Sequence, residues 1–267
     1  KRAKTPYSWH KEIFSYAKKK KIICFSSPFD SNAVDMLEKL NCPMYKIASF
    51  EITDIPLIKR VAETKKPIII STGLSNLKEI SLAYQTAKKH GAKDITLLYC
   101  VSSYPAPIEN FNLNNILILK KKFKCRVGFS DHSKDNTIAI TAAALGADVF
   151  EKHIALKNQK KGLDIDFSLK GKELREYIEA IKKTKILLGS SNFIRKKNEI
   201  KNIKFRRSLY VAESIKKGEK FTKHNLKSLR PKIGLDPIYL FQLLGKKTKK
   251  NLPYGLPITR KLLKKIS

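Results

Sequence analysis

Six short apolar runs, at residues 22–26, 44–48, 67–70, 95–101, 126–129 and 149–151, limit how this chain can fold. They are nearly continuous in Ile, Val and Leu, as strands buried on both faces are. Between most of them lie stretches with helical spacing, such as Ala33, Met36, Leu37 and Leu40, or Ile80, Ala83, Tyr84 and Ala87. Strands that alternate with helices form a parallel sheet, because parallel neighbours need a crossover connection. Each run also stops in polar side chains: Ser26 and Ser27, Ser49 and Glu51, Ser71 and Thr72, Ser102 to Tyr104, Ser130 to His132, Glu151 and His153. Reactive groups at every strand end are the layout of a (β/α) barrel, whose active face lies at the strand C-termini. A doubly wound open sheet would gather them at one switch point instead.

A closed barrel of this type needs eight strands. The chain offers six, the first beginning 22 residues in, so the expectation is a barrel lacking its first two strands. Residues 172–188 read as a long amphipathic helix with Leu174, Tyr177, Ile178, Ile181 and Leu187 on one side, ending at Gly189, and this helix closes the barrel. The expected boundaries are a catalytic domain over 1–190, a linker over 191–203 and a small domain over 204–267. The last is rich in Gly and Pro breaks, and a module of about 60 residues usually needs a partner surface.

The net charge of +33 raises nucleic-acid binding. The lysines are scattered end to end among Ile and Asn, without a recognition helix, stacking aromatics or zinc spacing, so a solvated basic surface is expected and no nucleic-acid partner. No apolar run approaches the ~20 residues of a membrane span. No apolar stretch follows the basic N-terminus as in a signal peptide, so a soluble, cytoplasmic protein is expected. Cys24, Cys42, Cys100 and Cys125 form no CxxC pair, and Cys24 and Cys100 fall in apolar runs, which suggests reduced core thiols.

Several segments resemble the sialic acid synthase family: Phe25-Ser-Ser-Pro-Phe-Asp, Tyr45-Lys-Ile-Ala-Ser-Phe-Glu, Ile70-Ser-Thr-Gly, Cys100-Val-Ser-Ser-Tyr-Pro-Ala-Pro, Gly128-Phe-Ser-Asp-His and Glu151-Lys-His. From Arg206-Arg-Ser-Leu-Tyr-Val to Leu229-Arg-Pro the chain resembles that family's antifreeze-like (SAF) domain. Ser8-Trp-His and Ala48-Ser-Phe-Glu-Ile-Thr-Asp look most like the pseudaminic acid branch, with the sialic and legionaminic branches as alternatives. The family's opening His-Asn-Gly and Val-Lys-Phe-Gln segments do not occur, which implies that this polypeptide alone is impaired.

The resemblance implies addition of phosphoenolpyruvate to the aldehyde of an open-chain amino sugar, with loss of phosphate. It implies that His132 and His153 bind a divalent metal, Mn²⁺ first, with Mg²⁺ or Co²⁺ as substitutes. Lys46, Ser49, Ser71 and Ser130 match positions that hold phosphoenolpyruvate, and an inward Lys46 needs an anionic partner. Glu51 and Asp164 are implied in catalysis. Ser27, Phe29, Ser102, Tyr104 and Glu151 are implied in substrate binding, although Ser102 stands where sialic acid synthases carry Asn, and Gly162-Leu-Asp replaces Gly-Pro-Asp. Arg230 matches an SAF arginine that reaches a partner's active site, which implies a domain-swapped homodimer. For Phe29 and Phe50 plain core packing is the simpler expectation, and His10, His90 and His224 read as structural or exposed. Two other readings are another phosphoenolpyruvate-using barrel, which the SAF segment disfavours, and a basic binding protein, which retention of Lys46, Glu51 and both histidines disfavours.

Overall fold

The computed structural model describes residues 5–104, 106–162 and 164–266. Two compact units divide at Gly189 and Ser190. The first runs α1 (Tyr7–Lys19), α2 (Ser31–Lys39), β1 (Tyr45–Ile47), α3 (Ile55–Ala62), β2 (Ile68–Ser71), α4 (Leu77–Lys89), β3 (Ile95–Cys100), α5 (Asn115–Phe123) and β4 (Arg126–Asp131). It continues with α6 (Asn136–Ala144), β5 (Phe150–Lys152), β6 (Ile154–Ala155), β7 (Leu169–Lys170) and α7 (Lys172–Leu188). Side chains start several helices: Asp30 caps α2, Asp54 caps α3, Asp135 caps α6, and Asn76 with Glu79 forms a capping box on α4. Each satisfies backbone N–H groups that the first helical turn leaves open.

Strands β1 to β5 form one all-parallel sheet in sequence order. Its two faces differ, where the sequence suggested apolar burial on both. Tyr45, Ile47, Ile68, Ile70, Ile95, Leu97, Val127 and Phe129 point to the helices and form the main core. The alternate residues Lys46, Ile69, Ser71, Leu98, Cys100, Ser130 and Glu151 share the other face by the two-residue period of a strand.

The sheet is curled. Lys46 lies on β1 and Glu151 on β5, four strand spacings apart, or about 19 Å in a flat sheet. Their side chains nevertheless meet, with Lys46 Nζ 3.4 Å from Glu151 Oε2. Five strands bent into that arc are an open barrel wall with its polar face inward.

Residues 22–26 differ from expectation. Only Ser26 pairs, in a single parallel bridge to Tyr45, and Ile22 and Ile23 are 65% and 74% exposed. The run has a ladder neighbour on one side and none on the other among the described residues, so a regular strand does not form. Cys24 is accordingly half-buried rather than a core thiol, and all four cysteines are free.

Helix α7 matches its expected span and packs on α6. Its buried stripe is narrower than expected: Tyr177 and Thr184 are buried and Leu174 and Ile181 packed, while Ile178 and Leu187 are exposed. These four follow the i, i+3, i+7, i+10 line, and Ile178 and Leu187 fall off it.

The second unit holds α8 (Lys197–Ile200), inside the stretch expected to be a plain linker, then β8 (Ser208–Val211), β9 (Leu226–Leu229), α9 (Leu240–Leu243) and α10 (Arg260–Ile266). β8 and β9 pair antiparallel. It has its own apolar core, including Leu209, Val211, Phe221, Leu226, Leu252 and Ile258, so it does not depend on a partner surface for one. No helix among the described residues is long and apolar enough to cross a membrane.

Candidate active site

The polar side chains converge where the inner face meets the C-terminal ends of β1 to β5. Lys46 is 6% exposed, and the nearby carboxylate of Glu151 also accepts a 2.8 Å hydrogen bond from Ser130 Oγ. Ser49, in the turn after β1, accepts a 3.1 Å hydrogen bond from the Gly73 amide. A Cβ on Gly73 would stand 2.1 Å from Ser102 Oγ and 2.8 Å from Ser49 Oγ, so glycine there lets the ends of three strands close together. Ser71 is 2% exposed, and its Oγ has no hydrogen-bond partner in the protein. A buried hydroxyl left unpaired costs stability, which marks it for a ligand.

Glu51 lies two residues past Ser49, also with a buried carboxylate oxygen, Oε2, that lacks a partner. Burial pushes its carboxyl above the usual range, against the pull of nearby Lys46. A carboxyl so placed can hold a proton closer to neutral pH than a solvated one.

The histidines flank the far end of the mouth, ring centroids 5.3 Å apart. His132 Nδ1 lies 3.1 Å from the Val101 carbonyl. A carbonyl only accepts, so Nδ1 carries the proton and Nε2 keeps its lone pair for a ligand. His153 Nδ1 lies 3.6 Å from Asp164 Oδ2. Burial lowers the pKa of both rings, and in His153 the neighbouring His132 adds to it. Neutral imidazole is the form that ligates a metal, and a carbonyl or carboxylate behind the ring is the usual support. The pair therefore suits a divalent cation completed by water or substrate oxygen. No three or more His, Cys, Asp or Glu among the described residues converge into a closed cage.

Tyr104 packs over His132 at 4.4 Å between centroids, and Phe167 contacts Tyr104, His132 and His153. Phe167 escaped the sequence reading because no strand run precedes it. Cys100 is the buried, free thiol expected, and it also borders the site: its Sγ sits among the hydroxyls of Ser49, Ser102 and Ser130 and 3.8 Å from His132 Nδ1. Alternation along β3 was the available signal, since Cys100 is in register with Ser130, and Ser130 with Glu151.

Other expected residues lie apart. Ser27 and Phe29 line a cleft of about 490 Å³ with Tyr7, His10 and Met36, beyond the β1 edge. Phe29 and Phe50 are 63% and 64% exposed, so neither packs a core. Arg230 is exposed just past β9, in the second unit. His10 is buried, its Nδ1 donating to the Pro6 carbonyl at 3.0 Å, a structural role. Of Gly162-Leu-Asp and of the Tyr104-Pro-Ala segment, Leu163 and Pro105 lie outside the described residues.

The NeuB family model matches residues 1–193 and the SAF domain model residues 206–264. A pseudaminic acid synthase of Campylobacter jejuni is 41% identical over 95% of this chain and 74% of its own length. An N,N'-diacetyllegionaminic acid synthase of the same organism is 42% identical over 91% of this chain and 73% of its own. Among solved structures, the N-acetylneuraminic acid synthetase of Leptospira borgpetersenii superposes with a TM-score of 0.71 at 32% identity, over 75% of this chain and 70% of that one.

Proposed function

The chain belongs to the NeuB family, and from that premise we propose that it condenses phosphoenolpyruvate with 2,4-diacetamido-2,4,6-trideoxy-L-altrose to give pseudaminic acid and phosphate. Support comes from one juxtaposition: a buried ammonium, an unpartnered buried hydroxyl and two neutral imidazoles on one curled polar face.

In this reading C3 of phosphoenolpyruvate bonds to the open-chain aldehyde carbon, water adds at C2, and the bond from C2 to the phosphate oxygen breaks. Lys46 and the hydroxyls of Ser49, Ser71 and Ser130 hold the phosphate and carboxylate, a compact cation with donors around an anion. Glu151 orients Lys46 and Ser130 toward them. Glu51 holds and moves the proton at the adding water, with Asp164 as the second acid at the His153 end. Ser102 and Tyr104 contact the sugar, and Ser27 and Phe29 extend the contact surface beyond β1. A divalent cation on His132 and His153, Mn²⁺ by preference, supplies Lewis-acid polarisation of the aldehyde oxygen when bound. Arg230 serves the site of a second copy in a homodimer. A cytoplasmic location is part of this reading, because phosphoenolpyruvate is its proposed substrate.

The legionaminic relative matches equally well in identity, so the substrate test carries that second reading. Phosphate release is measured with the altrose-configured diacetamido sugar, its legionaminic precursor and N-acetylmannosamine at equal concentration. The highest kcat/KM is expected with the first. A higher value with either other sugar keeps the family and overturns the substrate.

A further inference from the structure

We propose that Lys152 is a positioning residue that fixes His132. The proposal rests on the reading of His132 as a site residue. Strand alternation sends Glu151 to the inner face and Lys152 to the outer, between the sheet and α7. In register opposite Lys152 stands Asp131. The two side chains are 5% and 0% exposed, with Lys152 Nζ 3.7 Å from Asp131 Oδ1. The same ammonium donates to the Asp131 carbonyl at 3.0 Å and to the Ser133 carbonyl. It thus holds the backbone on both sides of His132, while Asp131 Oδ1 accepts from the Ser133 amide at 2.8 Å. The Tyr177 ring of α7 covers it, with Nζ 6.0 Å from the ring centroid.

An ion pair whose task was stability alone could be replaced by apolar side chains of similar volume at little or no loss. An apolar side chain cannot bond two carbonyls flanking one imidazole. Glu151, Lys152 and His153 therefore divide their work: the outer two face the reaction, and Lys152 ties the β5 end to the turn that presents His132. With Lys152 in place the ring is presented with Nδ1 donating to Val101, which leaves Nε2 for a ligand.

The test labels the five histidines of the full chain with ¹⁵N and reads the imidazole nitrogens of His132 in the parent, Lys152→Met and Lys152→Arg. Positioning predicts one Nδ1–H tautomer in the parent and averaged tautomers in Lys152→Met, with Lys152→Arg partly restoring the parent pattern. Mn²⁺ alone, titrated by electron paramagnetic resonance, is expected to bind Lys152→Met about tenfold more weakly or worse. Unchanged His132 nitrogens in Lys152→Met overturn the proposal, whatever happens to activity. Should Lys152→Met fail to fold, Asp131→Asn keeps both carbonyl contacts and is expected to retain the parent tautomer; averaging there would also overturn it. Absence of synthase activity in the parent chain with every sugar would instead strike the proposed function and leave the tautomer result standing.

Discussion

The two edges of the central sheet both start as apolar runs that stop in polar side chains, and they end in different states. At the β5 edge, Glu151, Lys152 and His153 are each engaged: with Lys46 and Ser130, with Asp131 and two carbonyls, and with Asp164 and Phe167. At the β1 edge, residues 22–25 are all apolar and are followed by Ser26 and Ser27. They make one bridge and leave Ile22, Ile23 and Phe25 in solvent. A run of apolar residues becomes a buried strand only when a ladder neighbour and a covering layer are both present. Otherwise it stays an exposed edge, the arrangement that invites self-association. The contact between Lys46 and Glu151 is where the two sides of the arc meet, so it is the first place to test the difference.

Lys46→Met should have the largest effect. It removes the buried ammonium while keeping the side-chain volume, and it is expected to weaken phosphoenolpyruvate binding on the order of a hundredfold. Titration calorimetry reads this, and parent-like affinity would detach Lys46 from the site. Glu151 should tolerate the loss, since it keeps Ser130 and is partly solvated.

The two carboxylates sharpen the comparison further. Glu151, on the β5 side, has two partners, whereas Glu51, on the β1 side, keeps a buried oxygen with none. Because burial raises the Glu51 pKa, the folded state holds its proton more tightly than the unfolded chain. Its charge therefore weakens the fold as pH rises from about 4.5 through the raised value. Glu51→Gln is expected to raise Tm by about 2 °C at pH 7.5, with the gain vanishing near about pH 4. The histidines have the opposite sign: their lowered pKa values make the unfolded chain the better proton acceptor, so stability falls as pH drops below about 6.5. Thermal melts from pH 4 to 8 separate the two. A Glu51→Gln melt no higher than the parent at pH 7.5 would show that the orphaned oxygen is solvated.

The smallest effect on the fold is expected from Ile23→Lys. The side chain is already in water, so stability should change by less than about 0.5 kcal/mol. Self-association measured by sedimentation velocity should fall, because a lysine blunts a free edge. Unchanged association would show that residues 22–26 are not the sticky surface.

Much of this was determined by local sequence. The apolar runs and helical periods fixed five of the strands and the helices between them, because side-chain burial with period 2 or 3.6 is a local signal. The motifs around Lys46, Ser71, Ser130 and the two histidines marked the strand ends, and the comparisons place the chain in the family those motifs suggested. What only the tertiary structure decided depends on curvature and on neighbours distant in sequence. Nothing local says that Lys46 reaches Glu151 or that Phe167 closes over both imidazoles. Nor does the apolar run at residues 22–26 reveal that it would lack a second ladder partner. Hydrophobic pattern is encoded residue by residue, but pairing and desolvation are properties of two surfaces, and the sheet must bend before those surfaces exist.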